Sequence, residues 1–291
     1  MTRDYKMNES KNTLSALIIY LSPHGTTKKA IDALAVSLNE NGVSSDIYNL
    51  SECDNKNIMA KLADYPLIVL GSPTYFHHAP AVFTDFINNM PDASKDQSVV
   101  LLSSFGGVSS GVILYDLAKI LHRKNYNLIG GIQVLTEHCL TFQEVDTFYS
   151  GHPNKKDVDA IKTFGKEISA RLKNRIRTKY SPSDFNDKPF ILNVMDDRVV
   201  NLKNFVWAMP GIKVNQSLCN RCAVCFKNCP TNNIQLDKAA VHGGNCIYCY
   251  SCVRTCPVHA TTAFLKPASL TVKLLAKIFR KFEDQTTRQI V

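Results

Sequence analysis

Two stretches, CNRCAVCFKNCP at 219–230 and CIYCYSCVRTCP at 246–257, hold eight of the chain's ten cysteines. Overlaid, they align at a constant offset of 27 residues: Cys219 on Cys246, Cys222 on Cys249, Cys225 on Cys252 and Cys229 on Cys256. Pro230 and Pro257 close the two runs. A disulfide framework would explain such density in a small secreted chain. Here the chain has 291 residues, and its start, MTRDYKMNESKN, contains no apolar leader. Residues 1–13 are expected to be a disordered lead. No stretch approaches the roughly 18–20 apolar residues of a membrane span. The 45% hydrophobic and 20% charged shares are those of an ordinary globular protein. A cytoplasmic, reducing setting is the expectation, and clustered cysteines in that setting point to metal. Zinc commonly takes two separated pairs rather than an unbroken run of four. Cys53 and Cys139 stand alone and read as ordinary thiols.

Three closely spaced thiolates in a tight turn can hold three corners of an iron–sulfur cube, and the fourth corner must come from elsewhere. The spacing, with its closing proline, closely resembles the bacterial 2[4Fe–4S] ferredoxin module. That resemblance implies a small α+β domain over 213–265, in which the last cysteine of each run serves the other cluster. One cluster would then take Cys219, Cys222, Cys225 and Cys256. The other would take Cys229, Cys246, Cys249 and Cys252. The short apolar stretches NIQL and ATTAF have the length for paired strands beside them. Free ferredoxins of this type are generally acidic, whereas this segment sets Lys213, Arg221, Lys227, Lys238 and Arg254 against the single acid Asp237. Positive charge near a cluster favours its reduced form.

The preceding part follows a different rule. LSALIIYLS is a continuous apolar run, the mark of a strand buried on both faces. It leads through SPHGTT into a helix with Ile31, Leu34, Ala35 and Leu38 on one face, ending near Gly42. SDIYNL, PLIVLGSPTY, SVVLLSSFGG and LIGGIQVL read as four further strands, with helices between them and a long helix over KKDVDAIKTFGKEISARLKNRI. Alternating strands and helices make a doubly wound α/β fold with a five-stranded parallel sheet over 14–178. Its ligand belongs at the carboxyl ends of the strands, where loops 22–27, 72–78 and 104–110 lie.

Those loops resemble the cofactor loops of flavodoxins. SPHGTT is similar to the turn that wraps the FMN phosphate: Ser22, Gly25, Thr26 and Thr27 match, and His24 stands where a threonine is usual. The histidine keeps a hydrogen-bond donor and could add positive charge beside the phosphate. GSPTY resembles the loop beside the isoalloxazine, with Pro73 and Thr74 in its backbone, Tyr75 the expected stacking residue and Phe76 the reserve. SSFGG resembles the third loop, where Ser104, Phe105, Gly106 and Gly107 would bound the ring. The resemblance also implies the strand order 2-1-3-4-5. A Rossmann site is disfavoured, because the first loop lacks G-x-G-x-x-G and the second strand ends in no acid. His77 and His78 read as solvent-facing loop residues, and His138 and Cys139 have no evident reactive partner.

Residues 179–212 form a connector whose Phe190, Ile191, Leu192, Val194, Leu202, Phe205, Val206 and Trp207 are too apolar to float. They are expected to pack one domain on the other. In the segment 266–291, Leu270, Leu274, Ile278 and Phe282 recur at helical spacing with Lys273, Lys277, Arg280 and Lys281 opposite. Such a helix is expected to dock its apolar face on its own protein; peripheral contact with a membrane surface is the alternative. Residues 155–179 carry nine Lys or Arg against three acids, which fits a solvated helix face or the docking of an acidic redox partner. No nucleic-acid recognition motif accompanies the charge. As a whole the chain resembles the flavodoxin–ferredoxin fusion proteins of anaerobic microbes. That resemblance implies an electron carrier joining FMN to two [4Fe–4S] clusters, with a self-contained reductase acting on a small molecule as the alternative.

Overall fold

An apolar strand with no polar alternation must find cover on both sides, and β1 (Leu14–Tyr20) does. Leu17 and Ile19 enter one core with Leu70, Leu101, Phe83 and Leu117. Ala16 and Ile18 enter the opposite core with Val69, Val100, Ile31, Leu34 and Phe164. Successive side chains thus go to opposite faces of the sheet. The computed structural model describes residues 14–52, 55–94, 97–144, 148–175, 180–188, 206–236, 241–242 and 244–290. The N-terminal lead, Cys53, Asp237, Lys238 and the connector residues Phe190, Ile191, Leu192, Val194, Leu202 and Phe205 lie outside them.

Strands β2 (Val43–Asn49), β3 (Leu67–Pro73), β4 (Ser98–Phe105) and β5 (Asn127–Leu135) join β1 in parallel. Helices α1 (Thr26–Glu40) and α5 (Lys155–Lys173) cover one face, and α3 (Ala81–Asn89) and α4 (Ile113–Arg123) the other. The short α2 spans Asn55–Lys61. Helix α5 starts on a capping box, with Asn154 accepting from Lys156 and Asp157 amides while the Asp157 carboxylate accepts from the Asn154 amide. The flavodoxin-like order holds, with one addition. A sixth strand, β10 (Arg288–Gln289), pairs antiparallel with β5, giving the order β10-β5-β4-β3-β1-β2. The Ile290 amide donates to the Gly131 carbonyl at 2.8 Å and the Leu135 amide to Thr287 Oγ1 at 2.9 Å, so the C-terminal segment closes the sheet edge.

The cysteine-rich part is built on two small antiparallel pairs: β6 (Ile212–Val214) with β9 (Thr261–Ala263), and β7 (Ile234–Gln235) with β8 (Val241–His242). The two stretches expected to be strands therefore pair with other partners, not with each other. Single-turn helices α6 (Val224–Lys227) and α7 (Ser251–Arg254) follow the first cysteines of each run. Non-glycine residues with positive φ recur at the sequence offset: Arg221 and Tyr248, Ala223 and Tyr250, Asn232 and His259. The left-handed region is unfavourable for such residues, so its repetition marks a backbone bent twice to the same purpose.

Helix α8 (Lys266–Phe279) corrects one expectation. Its buried positions are Ser269, Val272 and Ala276, whereas Leu270, Leu274, Ile278 and Phe282 are exposed. The small residues let the helix approach closely; the larger apolar stripe faces outward. In the described part of the connector, Phe185 is buried in the first core and Ile212 packs on the small core, whereas Trp207 is 81% exposed.

Candidate functional site

Gly25, at φ +79°, turns the chain from β1 into α1, a conformation that costs glycine little. The Lys28 amide donates to Ser22 Oγ at 2.9 Å. The amides of Thr26 and Thr27 remain at the open N-terminus of a 15-residue helix, where an anion is favoured. Thr27 Oγ1 and Ser104 Oγ lie 2.8 Å apart, tying the first loop to the third. Around this point is a cavity lined by His24, Thr26, Thr27, Pro73, Thr74, Tyr75, Ser104 and Gly106. The other residues named from the sequence stand beside it. Ser22 and Gly25 build the turn, Phe105 is buried at the end of β4, and Gly107 packs against the Tyr149 ring. Phe76 and His77, at φ +48° and +67°, form a two-residue turn closed by the Tyr75 and His78 amides on each other's carbonyls at 2.9 and 3.0 Å.

His77 does not face solvent as expected, and His78 is partly exposed. His77 is buried edge-on to Phe279, at 5.4 Å between ring centroids, and its carbonyl accepts from the Val112 amide. His78 Nδ1 is 2.7 Å from Asp116. Burial alone would raise the Asp116 carboxyl, but the bonds from His78 and Lys119 hold it below the usual carboxylate range.

Four residues of the same cavity, Thr136, Glu137, His138 and Cys139, follow β5. The signal was their place at the carboxyl end of a fifth parallel strand, since their residue types match no phosphate or ring loop. His138 crowds Gly106 so closely that no side chain fits there. Its Nδ1 accepts from the Leu140 amide at 3.2 Å, and burial lowers its pKa to about 4. The folded ring is therefore neutral, while in the unfolded chain it titrates near 6.5. Between those values the unfolded state binds more protons, so stability falls as pH drops from about 6.5 toward about 4, by roughly 1.4 kcal/mol per unit of the displacement. Denaturant melts of the apoprotein between pH 7 and 5 should show this slope, and His138→Gln should reduce it by about half, since His24 is displaced the same way. The same slope in both proteins would contradict the assignment.

The eight clustered cysteines divide into two cavities. One is lined by Cys219, Cys222, Cys225 and Cys256, the other by Cys229, Cys246, Cys249 and Cys252. Each set contains three cysteines of one run and the last of the other. Among the described residues, no three His, Cys, Asp or Glu side chains converge as they would on a single ion. Burial, then the neighbouring thiols, pushes Cys252 up to about 12 and Cys249 higher still, so thiolates form there only beside positive charge. Asn233 and Tyr248 amides each point at a sulfur, Cys229 and Cys246, at 3.3 Å.

His24 connects the two regions. Its Nε2 bonds the Cys249 carbonyl, and the Arg254 guanidinium donates to the His24 carbonyl and lies 3.2 Å from Nδ1. Burial lowers the His24 pKa to about 4, so the ring is neutral and does not supply the positive charge expected of it beside a phosphate.

Comparison with known proteins places residues 17–110 in the flavodoxin domain and residues 211–257 in the 4Fe–4S dicluster domain. A 71-residue stretch is 37% identical to an uncharacterized protein of Methanocaldococcus jannaschii, covering 24% of this chain and only 18% of that one. Among solved structures, rubredoxin:oxygen oxidoreductase from Desulfovibrio gigas aligns at 20% identity and a TM-score of 0.46, over 56% of this chain and 37% of its own. A flavodoxin from the domain Archaea aligns at 19% identity and a TM-score of 0.43, over 55% of this chain and 99% of its own.

Proposed function

We propose, for a chain that carries a flavodoxin domain followed by a 4Fe–4S dicluster domain, that it is an electron-transfer iron–sulfur flavoprotein serving a partner redox protein. In this proposal FMN sits in the cavity of the first domain, with its phosphate on the Thr26 and Thr27 amides and hydroxyls and its ring against Tyr75. The two cysteine sets hold two [4Fe–4S] clusters. When bound, the flavin exchanges two electrons and each cluster one. The observation that carries the proposal is the His24–Cys249 contact, which joins the phosphate loop to a cysteine loop within one chain. Covalent linkage then replaces a diffusional encounter by an intramolecular one. Residues at the flavin end supply enclosure: the Phe76–His77 turn is held down by Phe279 and by Gly111, which lies against His77.

The test is a reductive titration of protein prepared without air. Uptake of about four electrons per chain, two in the flavin and one in each cluster, is expected. Delivery to a protein acceptor should follow without a small-molecule substrate. Saturable turnover of a small acceptor by the protein alone would instead make it a self-contained reductase.

A further inference from the structure

The two cysteine cavities differ in what surrounds them. The set Cys229, Cys246, Cys249 and Cys252 adjoins the flavin domain: Cys249 and Cys252 are buried, and Cys249 meets His24 through its carbonyl. Tyr75 and Cys139 line the flavin-domain cavity together with His24, on the same side. Leu140 and Phe142, which follow Cys139, pack into the small core around Tyr250 and Val253. The set Cys219, Cys222, Cys225 and Cys256 is more open, although Cys256 is itself buried. Cys222 is exposed, as are its neighbours Asn220 and Arg221 and, past Cys225, Phe226 and Lys227. Leu218 and Phe226, 54% and 41% exposed, stand among these basic residues. An apolar centre with a charged rim is the composition of a protein docking patch.

We infer that the chain imposes an order on its carriers: the cysteine set docked on His24 holds the flavin's immediate electron neighbour, and the set containing exposed Cys222 is the outer port, where an acidic protein partner docks on Arg221 and Lys227. This rests on the relay proposed above. Electron tunnelling falls steeply with distance, so a fixed short contact at one set and exposure at the other decide the sequence of transfers. In the outward direction, a reduced flavin gives up two electrons one at a time and releases its protons to solvent. Each electron reduces the inner cluster, which is reoxidised by the outer one. The outer cluster is in turn reoxidised by a one-electron protein acceptor, which leaves reduced. Inward flow reverses the same path.

The test uses holoprotein prepared without air, with iron and flavin counted before each measurement, and follows internal transfer by absorbance after flash reduction of the flavin. Cys219→Ala should keep flavin-to-cluster transfer at the parental rate and lose delivery to an acidic one-electron haem protein. Cys246→Ala should lose the internal transfer although the outer cluster is still present. Since removing a ligand can unfold a small domain, Arg221→Glu with Lys227→Glu provides a second arm. That pair should slow haem-protein reduction, more so at low salt, and leave internal transfer unchanged. Loss of internal transfer in Cys219→Ala with retention in Cys246→Ala would overturn the order, as would haem-protein reduction indifferent to the charge reversal. A parent protein lacking flavin or iron would remove the relay itself, and the order with it.

Discussion

Glu283→Ala is expected to destabilise the protein by about 3–5 kcal/mol, the cost of breaking a buried ion pair by removing one partner. Glu283 and Lys188 form an ion pair at 2.5 Å with side chains only 3% and 2% exposed. The Ser109 and Ser110 hydroxyls and the Ser110 amide donate to the same carboxylate at 2.7, 2.5 and 2.7 Å, and Arg288 lies 3.6 Å away. Removing the carboxylate takes away the nearest acid from an enclosed Lys188, whose other contacts include Ser110 Oγ at 2.8 Å and Asp187 at 3.8 Å. The loop 104–111 bounding the candidate flavin cavity loses its anchor to the C-terminal segment at the same time. Burial works to raise the Glu283 carboxyl, but Lys188 and the serine donors hold it below the usual carboxylate range. A lowered folded pKa means this stabilisation is present above the unfolded carboxylate value near 4.3 and is lost as pH falls through the folded one. Urea titrations of wild type and Glu283→Ala at pH 7 measure the difference. A change under about 1 kcal/mol would show that solvent reaches Lys188 and that the pair is of the weak surface kind. A second change, Lys188→Met, should restore part of the loss, because an enclosed apolar side chain of similar length costs less than an enclosed ammonium whose nearest carboxylate has been removed.

The double variant Cys219→Ala, Cys256→Ala is expected to retain about half the iron, near four of eight per chain, and its flavin. The two cysteines come from different runs yet line one cavity. If the last cysteine of each run crosses to the other cluster, the pair removes two ligands from one cluster and none from the second. If each run instead served its own cluster, the pair would damage both, and iron would fall toward zero. Cys219→Ala with Cys229→Ala provides the converse: those two line different cavities, so both clusters should suffer. Iron and labile sulfide analysis of protein purified without air separates the two patterns.

The parts of this molecule legible in its sequence are those whose cause is local. Ligand spacing is local, so the two runs declared their cavities, although the crossing itself came from a resemblance. Burial on both faces is equally legible, because β1 and β3–β5 can hardly be anything but central strands when nearly every position is apolar. What stayed hidden depends on residues far apart in the chain. His24 meets Cys249 across 225 positions, and nothing in SPHGTT marks that histidine as a link between domains. Strand β10 has two residues, too few for any alternation, and exists because β5 offered an open edge. Lys188 and Glu283 look like solvated charges until the fold brings them together. Helix α8 misled for a different reason: its leucines announce an apolar stripe, but Ser269 and Ala276, being small, allow closer contact on the other face.

One chain is expected to carry a flavin and two clusters together. The most direct measurement is the content of iron, acid-labile sulfide, zinc and FMN per chain in protein isolated without air. About eight irons, eight sulfides and one FMN are predicted, with visible absorption that bleaches on adding dithionite. Zinc in place of iron, or a full complement of iron with no FMN bound even when it is supplied, would contradict it.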